Sequence, residues 1–140
     1  MTSSRSTTGR GCDVVGVLLA HLVGDYLLQS HWMANEKTKR WWPAWAHALT
    51  YSLPFLLVTQ SPAALAVIVG THAVVDRYRL ARHVIWVKNL AAPKSWRLSW
   101  QDCSATGYPP DAPPWLAVWL MIISDNTIHL LINVAAVRYL

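Results

Sequence analysis

Residues 115–137 run for 23 positions without a lysine or an arginine and with one carboxylate, Asp125. As an α-helix this segment would be about 35 Å long at 1.5 Å per residue. That is enough for the roughly 30 Å hydrocarbon core of a bilayer, and a helix satisfies its backbone polar groups without water. Three further apolar stretches precede it, at 14–28 (extendable to 33), 41–58 and 62–80. The first reaches spanning length only with its polar end, and the other two are slightly short. Charged residues make up 14% of the chain and hydrophobic ones 54%, against roughly 25% charged in an ordinary soluble domain. A soluble bundle of this size needs a charged outer face on every helix, and the charge for it is missing. The expected fold is all-α: a four-helix transmembrane bundle as a single domain over 13–140, behind a polar, disordered tail over 1–12.

The connections support that reading. Thr59-Gln60-Ser61-Pro62 is a helix-hairpin turn, with Ser61 as N-cap and Pro62 at the first helical position. Pro54 is expected to kink the second helix near its end. With four crossings, Lys37, Lys39, Arg40, Arg77, Arg79, Arg82, Lys88, Lys94 and Arg97 fall on one side and Arg5, Arg10 and Arg138 on the other. The more basic side faces the cytoplasm, so the chain is expected in the inner cell membrane with both termini outside. All nine tryptophans fall at or near that basic side, at the headgroup level that indole prefers. Residues 83–104 mix Trp, Leu and Lys/Arg and are expected to lie on the inner leaflet between the third and fourth helices.

The net charge of +5 belongs to residues flanking apolar stretches, so the expected partner is a bilayer with anionic headgroups. Lys37, Lys39, Arg40, Arg77 and Arg79 are the expected headgroup contacts. No basic stripe interleaved with aromatics runs along a polar helix, so nucleic acid is not an expected partner. Cys12 and Cys103 fall on opposite sides of the expected membrane, and no disulfide between them is expected. Residues after Arg10 imitate a signal peptide, but no small-x-small site follows and the apolar run contains His21 and Asp25, so cleavage is not expected.

Inside the apolar stretches lie three pairs at i,i+4 spacing: His21 with Asp25, His72 with Asp76, and Asp125 with His129. That spacing puts both members on one helix face. His47 in the second stretch lies at a matching depth. An ionised carboxylate in hydrocarbon costs several kcal/mol unless neutralised, and the remedies are protonation, a charged histidine or a metal cation. Neutral imidazole with carboxylate is a ligand mix for zinc first, and for iron or manganese. His21, Asp25, His47, His72, Asp76, Asp125 and His129 are therefore candidate ligands of a divalent metal ion, or of two ions sharing a carboxylate. Gln29 and Tyr51 are candidate outer partners of Asp25 and His47. The competing explanation is a hydrogen-bonded His–Asp network that only joins helices. His31 and His83 lie at the basic boundary and are expected in solvent.

His21 to Lys37, HLVGDYLLQSHWMANEK, resembles the signature of an uncharacterised bacterial and phage membrane family, a domain of unknown function. Its His-Leu-x-Gly-Asp-Tyr/Phe-x-Leu-Gln is followed by Trp-Met and Lys, then by a His and a His-x-x-x-Asp that His47, His72 and Asp76 match. The resemblance implies a multi-pass membrane fold over about the first 80 residues and no defined activity. A wider likeness links the intramembrane His/Asp pairs to membrane-bound metal-dependent hydrolases. One expectation is thus a metal-dependent hydrolase acting on lipids or headgroups, with Asp125 or His129 as the catalytic base. The alternatives are a proton or ion conductor using the same residues, and a holin-like permeabilising or interaction protein. Bis-histidine haem fits the paired aspartates less well than a non-haem cation.

Overall fold

The computed structural model describes residues 8–140, with side chains from Val14 onward, so much of the expected tail and the side chain of Cys12 lie outside the described residues. Among the described residues the chain is all-helical, with α1 (Thr8–Leu22), α2 (His31–Glu36), α3 (Trp41–Ser52), α4 (Pro62–Tyr78), α5 (Leu80–Asn89), α6 (Trp100–Cys103) and α7 (Pro114–Tyr139).

The all-α expectation holds, and the expected spans are met in part. Among the described residues only α7, at 26 residues, is long and apolar enough to cross a bilayer, and a shorter apolar helix covers Val14–Leu27. Local backbone chemistry interrupts the other stretches. After α1 the chain widens into a π-helical turn, Val23–Leu27. Pro54 has no N–H to continue α3, which tightens into a 3-10 turn over Leu53–Leu57. The third stretch stops at Arg79, whose backbone turns left-handed at φ 51° and ψ 52°. The hairpin between α3 and α4 has Ser61 Oγ accepting from the Ala64 N–H at 3.3 Å, with Pro62 opening the helix.

Helices α1, α3, α4 and α7 close a ring: α4 packs on α3 and α7, and α1 on α7 and the turn after α3. Each helix turns one stripe inward, and each stripe changes character along its length. On α4 the buried residues Ala64, Ile68, His72 and Asp76 follow one another at four-residue steps, apolar first and polar last. On α3 the buried set runs in the opposite sense, from His47 to Tyr51 and then Phe55 in the 3-10 turn. One end of the ring is therefore an apolar core of Val17, Ala20, Phe55, Ala64, Ile68 and Ala136, roofed by Tyr51. The other end buries imidazoles and carboxylates. Large apolar side chains point outward instead, among them Leu57, Leu27, Leu131 and Ile123.

Helix α5 packs on the outside of α7. The loop after α6 folds back on it through Arg82 to the Ser104 carbonyl at 3.0 Å and Asn89 to the Gly107 carbonyl at 3.2 Å. Gly107 has φ +83° and abuts the α5 backbone, a combination only glycine accepts without strain. Cys103 is a free, buried thiol, and burial with the neighbouring Asp102 pushes its pKa up, which leaves it weakly nucleophilic.

Gly24 sets the approach of the π-helical turn to α3. A Cβ there would lie 2.6 Å from Tyr51 Cδ2 and 2.7 Å from the Tyr51 carbonyl oxygen. The second contact is with backbone, so the helices themselves would have to separate. Gly24→Ala is expected to destabilise the fold by about 2 kcal/mol despite alanine's better helix propensity. Thermal unfolding followed by circular dichroism checks this, and an unchanged midpoint would contradict the close approach.

Candidate metal centre

Four donor atoms from three elements meet at the polar end of the ring. Asp25 comes from the π-turn, His47 from α3, and His72 and Asp76 from α4. His47 Nε2 lies 3.0 Å from His72 Nε2 and 3.2 Å from Asp25 Oδ1. It is also 3.3 Å from Asp76 Oδ2. His72 Nε2 lies 3.2 Å from Asp76 Oδ2 and 3.5 Å from Asp25 Oδ1. A tetrahedral zinc ion with bonds of about 2.0–2.2 Å requires its ligands to stand about 3.3–3.6 Å apart. These five spacings run from 3.0 to 3.5 Å, and the triads close enough to share an ion are Asp25, His47 and His72, and His72, Asp76 and His129. Hydrogen bonds alone serve the cluster poorly, since two ring nitrogens carry at most one proton each here yet face each other and two carboxylate oxygens at once. The donor set therefore fits a divalent cation.

An outer partner fixes the His72 ring, while His47 Nδ1 is buried without one. His72 Nδ1 lies 3.2 Å from His129 Nδ1. Were the His72 Nε2 lone pair to hold a cation, His72 Nδ1–H would donate to His129 Nδ1. That would leave the proton of His129 on Nε2, facing Asp76 Oδ1 and Asp125 Oδ2 at 3.5 Å each. A ligand histidine whose second nitrogen is held in this way has a fixed tautomer. Tyr51 stacks on His72, ring centroids 3.6 Å apart and planes 13° from parallel.

His21 stands outside the donor set, contrary to the expectation from its spacing. Its Nδ1 accepts from the Tyr51 hydroxyl at 2.8 Å, and its Nε2–H donates to Asn126 Oδ1 at 3.2 Å. The Tyr51 oxygen in turn accepts from Asn133 Nδ2 at 2.5 Å, and Asn126 Nδ2 donates to the Tyr26 hydroxyl at 2.6 Å. With both nitrogens used, and Asp25 Oδ2 3.6 Å from its Nδ1, His21 ties helices rather than offering a lone pair. Gln29 also departs from its expected part: it makes no hydrogen bond to Asp25, and its Oε1 is buried without a partner. The wider π-turn breaks the i,i+4 register between them. Tyr51 bonds His21 rather than His47. Asp125 is the most open of the candidates, its side chain 29% exposed.

The basic residues divide. Lys37, expected at the headgroups, turns inward and places Nζ 2.8 Å from Asp76 Oδ2. Ser30 caps a new helix, α2, through the Met33 N–H at 3.3 Å, so the chain doubles back and returns Lys37 to the ring. Arg77 pins that return by donating to the Thr38 carbonyl at 2.7 Å and lying over the Trp41 ring. The serine cap ahead of Trp32 and Met33 is the signal from which this reversal is readable. Arg79 reaches only the Met121 sulfur, at 3.4 Å. Lys39 pairs with Glu36 at 2.9 Å, and Arg40 is exposed. His31 is exposed and bonds Asn35, while His83 is partly buried against Trp100. A cavity of about 280 Å³ opens beside the donors, lined by Asp25, Gln29, Lys37, Asp76, Arg79, Asp125 and Asn126 among others.

Fold and site define an all-helical protein with a buried His/Asp centre that could hold a metal ion. The chain belongs to the family described as Protein of unknown function (DUF3307), whose model matches residues 14–98. The match spans Asp25, His47, His72 and Asp76 and stops short of Asp125 and His129. No curated protein and no solved structure matches the chain.

Tyr51→Phe keeps the ring on His72 but leaves His21 Nδ1 and Asn133 without their shared partner. It is expected to cost about 1–3 kcal/mol of stability while leaving metal content unchanged. Unfolding and elemental analysis of the same preparation check both halves.

Proposed function

We propose that this chain is a membrane-embedded, metal-dependent hydrolase whose single cation is held by Asp25, His47, His72 and Asp76. The observation carrying the proposal is that His47 Nε2 and His72 Nε2 lie 3.0 Å from each other and each within 3.2–3.5 Å of both an Asp25 and an Asp76 carboxylate oxygen. The charge inventory agrees, since Asp25 and Asp76 have one close lysine between them, Lys37. Zinc suits two imidazoles and two carboxylates, with iron or manganese next.

The membrane setting is supported by an inverted distribution of polarity. The centre of the ring is charged and hydrogen-bonded, while leucines, isoleucines and valines make up much of the outside. Only 17% of the most apolar window of α7 is buried within the protein, whereas the core helix of a soluble protein is mostly covered. Under this reading α1, α3, α4 and α7 form a four-crossing bundle in the cytoplasmic membrane, with the termini outside. The Trp- and Lys/Arg-rich segment 83–104 then rests on the inner leaflet, and the cavity opens toward anionic headgroups.

A bound divalent cation supplies Lewis acidity toward water or an ester oxygen. The protein supplies the rest. Asp125, partly open to the cavity, accepts the proton of the attacking water at Oδ2 and returns it to the departing ester oxygen as that bond breaks. His129 Nε2–H steadies the carboxylate. Lys37 balances charge on Asp76. Beyond Tyr51 the ring is plugged by Val17, Phe55, Ile68 and Ala136, which favours an enzyme over a conducting path. The buried polar set is likewise more than a holin-like role requires.

Purified wild-type protein is expected to contain close to one equivalent of metal, and His72→Ala and Asp25→Asn close to none, by elemental analysis. His21→Ala is expected to keep the ion, and loss of metal there would return His21 to the ligand set. Asp125→Asn is expected to keep the ion while slowing chelator-sensitive lipid hydrolysis in liposomes about a hundredfold or more. Metal-free wild-type protein would end the proposal.

A further inference from the structure

Arg79 is the one described residue besides glycine with a positive φ. It sits at the junction of α4 and α5, where its N–H closes α4 by bonding the Asp76 carbonyl at 3.2 Å. Glycine or asparagine usually takes such a position, because a side chain there crowds the backbone. A large charged residue in that conformation points to a use for its side chain. The guanidinium lines the cavity beside the metal centre, and none of its five N–H donors meets a carboxylate within 4 Å among the described residues. Its one hydrogen-bond partner is the thioether of Met121, a weak acceptor.

Charge around the cavity shows what is lacking. Three carboxylates line it, Asp25, Asp76 and Asp125, against two cations, Lys37 and Arg79. Once a divalent ion is held, positive charge exceeds negative by one, and the cavity calls for an anion. Its volume of about 280 Å³ accepts a phosphate group with a short ester arm. Lys37 is engaged with Asp76, so Arg79 is the cation free to bind. A planar guanidinium recognises phosphate oxygens two at a time.

We propose that the cavity binds the phosphate monoester end of a substrate between the metal centre and Arg79, which makes Arg79 its specificity-determining residue. This rests on the metal reading above and deepens it. A lipid headgroup and a soluble phosphate ester share this chemistry.

The test titrates zinc-loaded protein in detergent by calorimetry with methylphosphonate, with dioctanoyl phosphatidate and with dioctanoyl phosphatidylcholine as the zwitterionic control. Wild type is expected to bind the first two and not the third. Arg79→Gln is expected to weaken both about ten- to hundredfold while retaining its zinc, which reports an intact fold. Arg79→Gly is expected to bind as poorly yet to melt at the same temperature or higher, because glycine relieves the left-handed backbone. Tighter binding of phosphatidate than of methylphosphonate assigns a lipid source, and equal binding a soluble one; both support the proposal. Zinc-loaded wild type that binds neither phosphate probe, or an Arg79→Gln variant that binds like wild type, overturns it. Wild type unable to hold zinc would instead be a failure of the metal reading.

Discussion

Asp25 and Asp76 are buried within reach of the same two imidazole nitrogens, and neutralising these carboxylates is the requirement that organises the molecule. Taking a carboxylate out of water costs several kcal/mol unless its charge is met at close range. Lys37 meets part of that need at 2.8 Å from Asp76. A cation between His47 and His72 would meet the rest and satisfy four lone pairs that hydrogen bonding serves badly. The outer layer follows from this arrangement. Tyr51 lies flat on His72, His129 holds its far nitrogen, and Asn126 and Asn133 complete the hydrogen bonds of His21 and Tyr51.

The fold delivers those groups through register. Each ring helix has a single inward stripe, polar at one end and apolar at the other, and α3 and α4 run antiparallel so that like ends meet. A one-residue slip on α4 would swing His72 and Asp76 about 100° away together. Gly24 fixes the approach of the π-turn after α1 to α3, and Arg77 fixes the return of the Lys37 segment. Burying the polar groups and exposing the apolar ones is the arrangement on which the proposed membrane setting rests.

Much of the centre was legible in the sequence because helical periodicity is strict. The spacing of His72 and Asp76, and the depth of His47, placed them together without reference to any neighbour. Where helical periodicity changes, the legibility ends. The π-turn after Leu22 shifts the register beyond Asp25, so Gln29 leaves its expected partner. His21 keeps its helix face but loses its lone pair to the Tyr51 hydroxyl, a cross-helix competition that spacing does not encode. Lys37 read as a boundary charge because the reversal through α2 is set by a short cap rather than by a long pattern. Four apolar stretches read as four long helices, yet Pro54 and the left-handed Arg79 cut two of them short. Neither break alters which residues face inward.

The central claim is that one ion is held by two imidazole nitrogens and two carboxylate oxygens. X-ray absorption spectroscopy at the zinc edge of the purified protein tests it most directly. The expected result is a first shell of four nitrogen and oxygen scatterers at about 2.0–2.1 Å, with the outer-shell signature of two imidazoles. A sulfur shell, a six-oxygen shell without imidazole scattering, or no bound zinc, iron or manganese would contradict it.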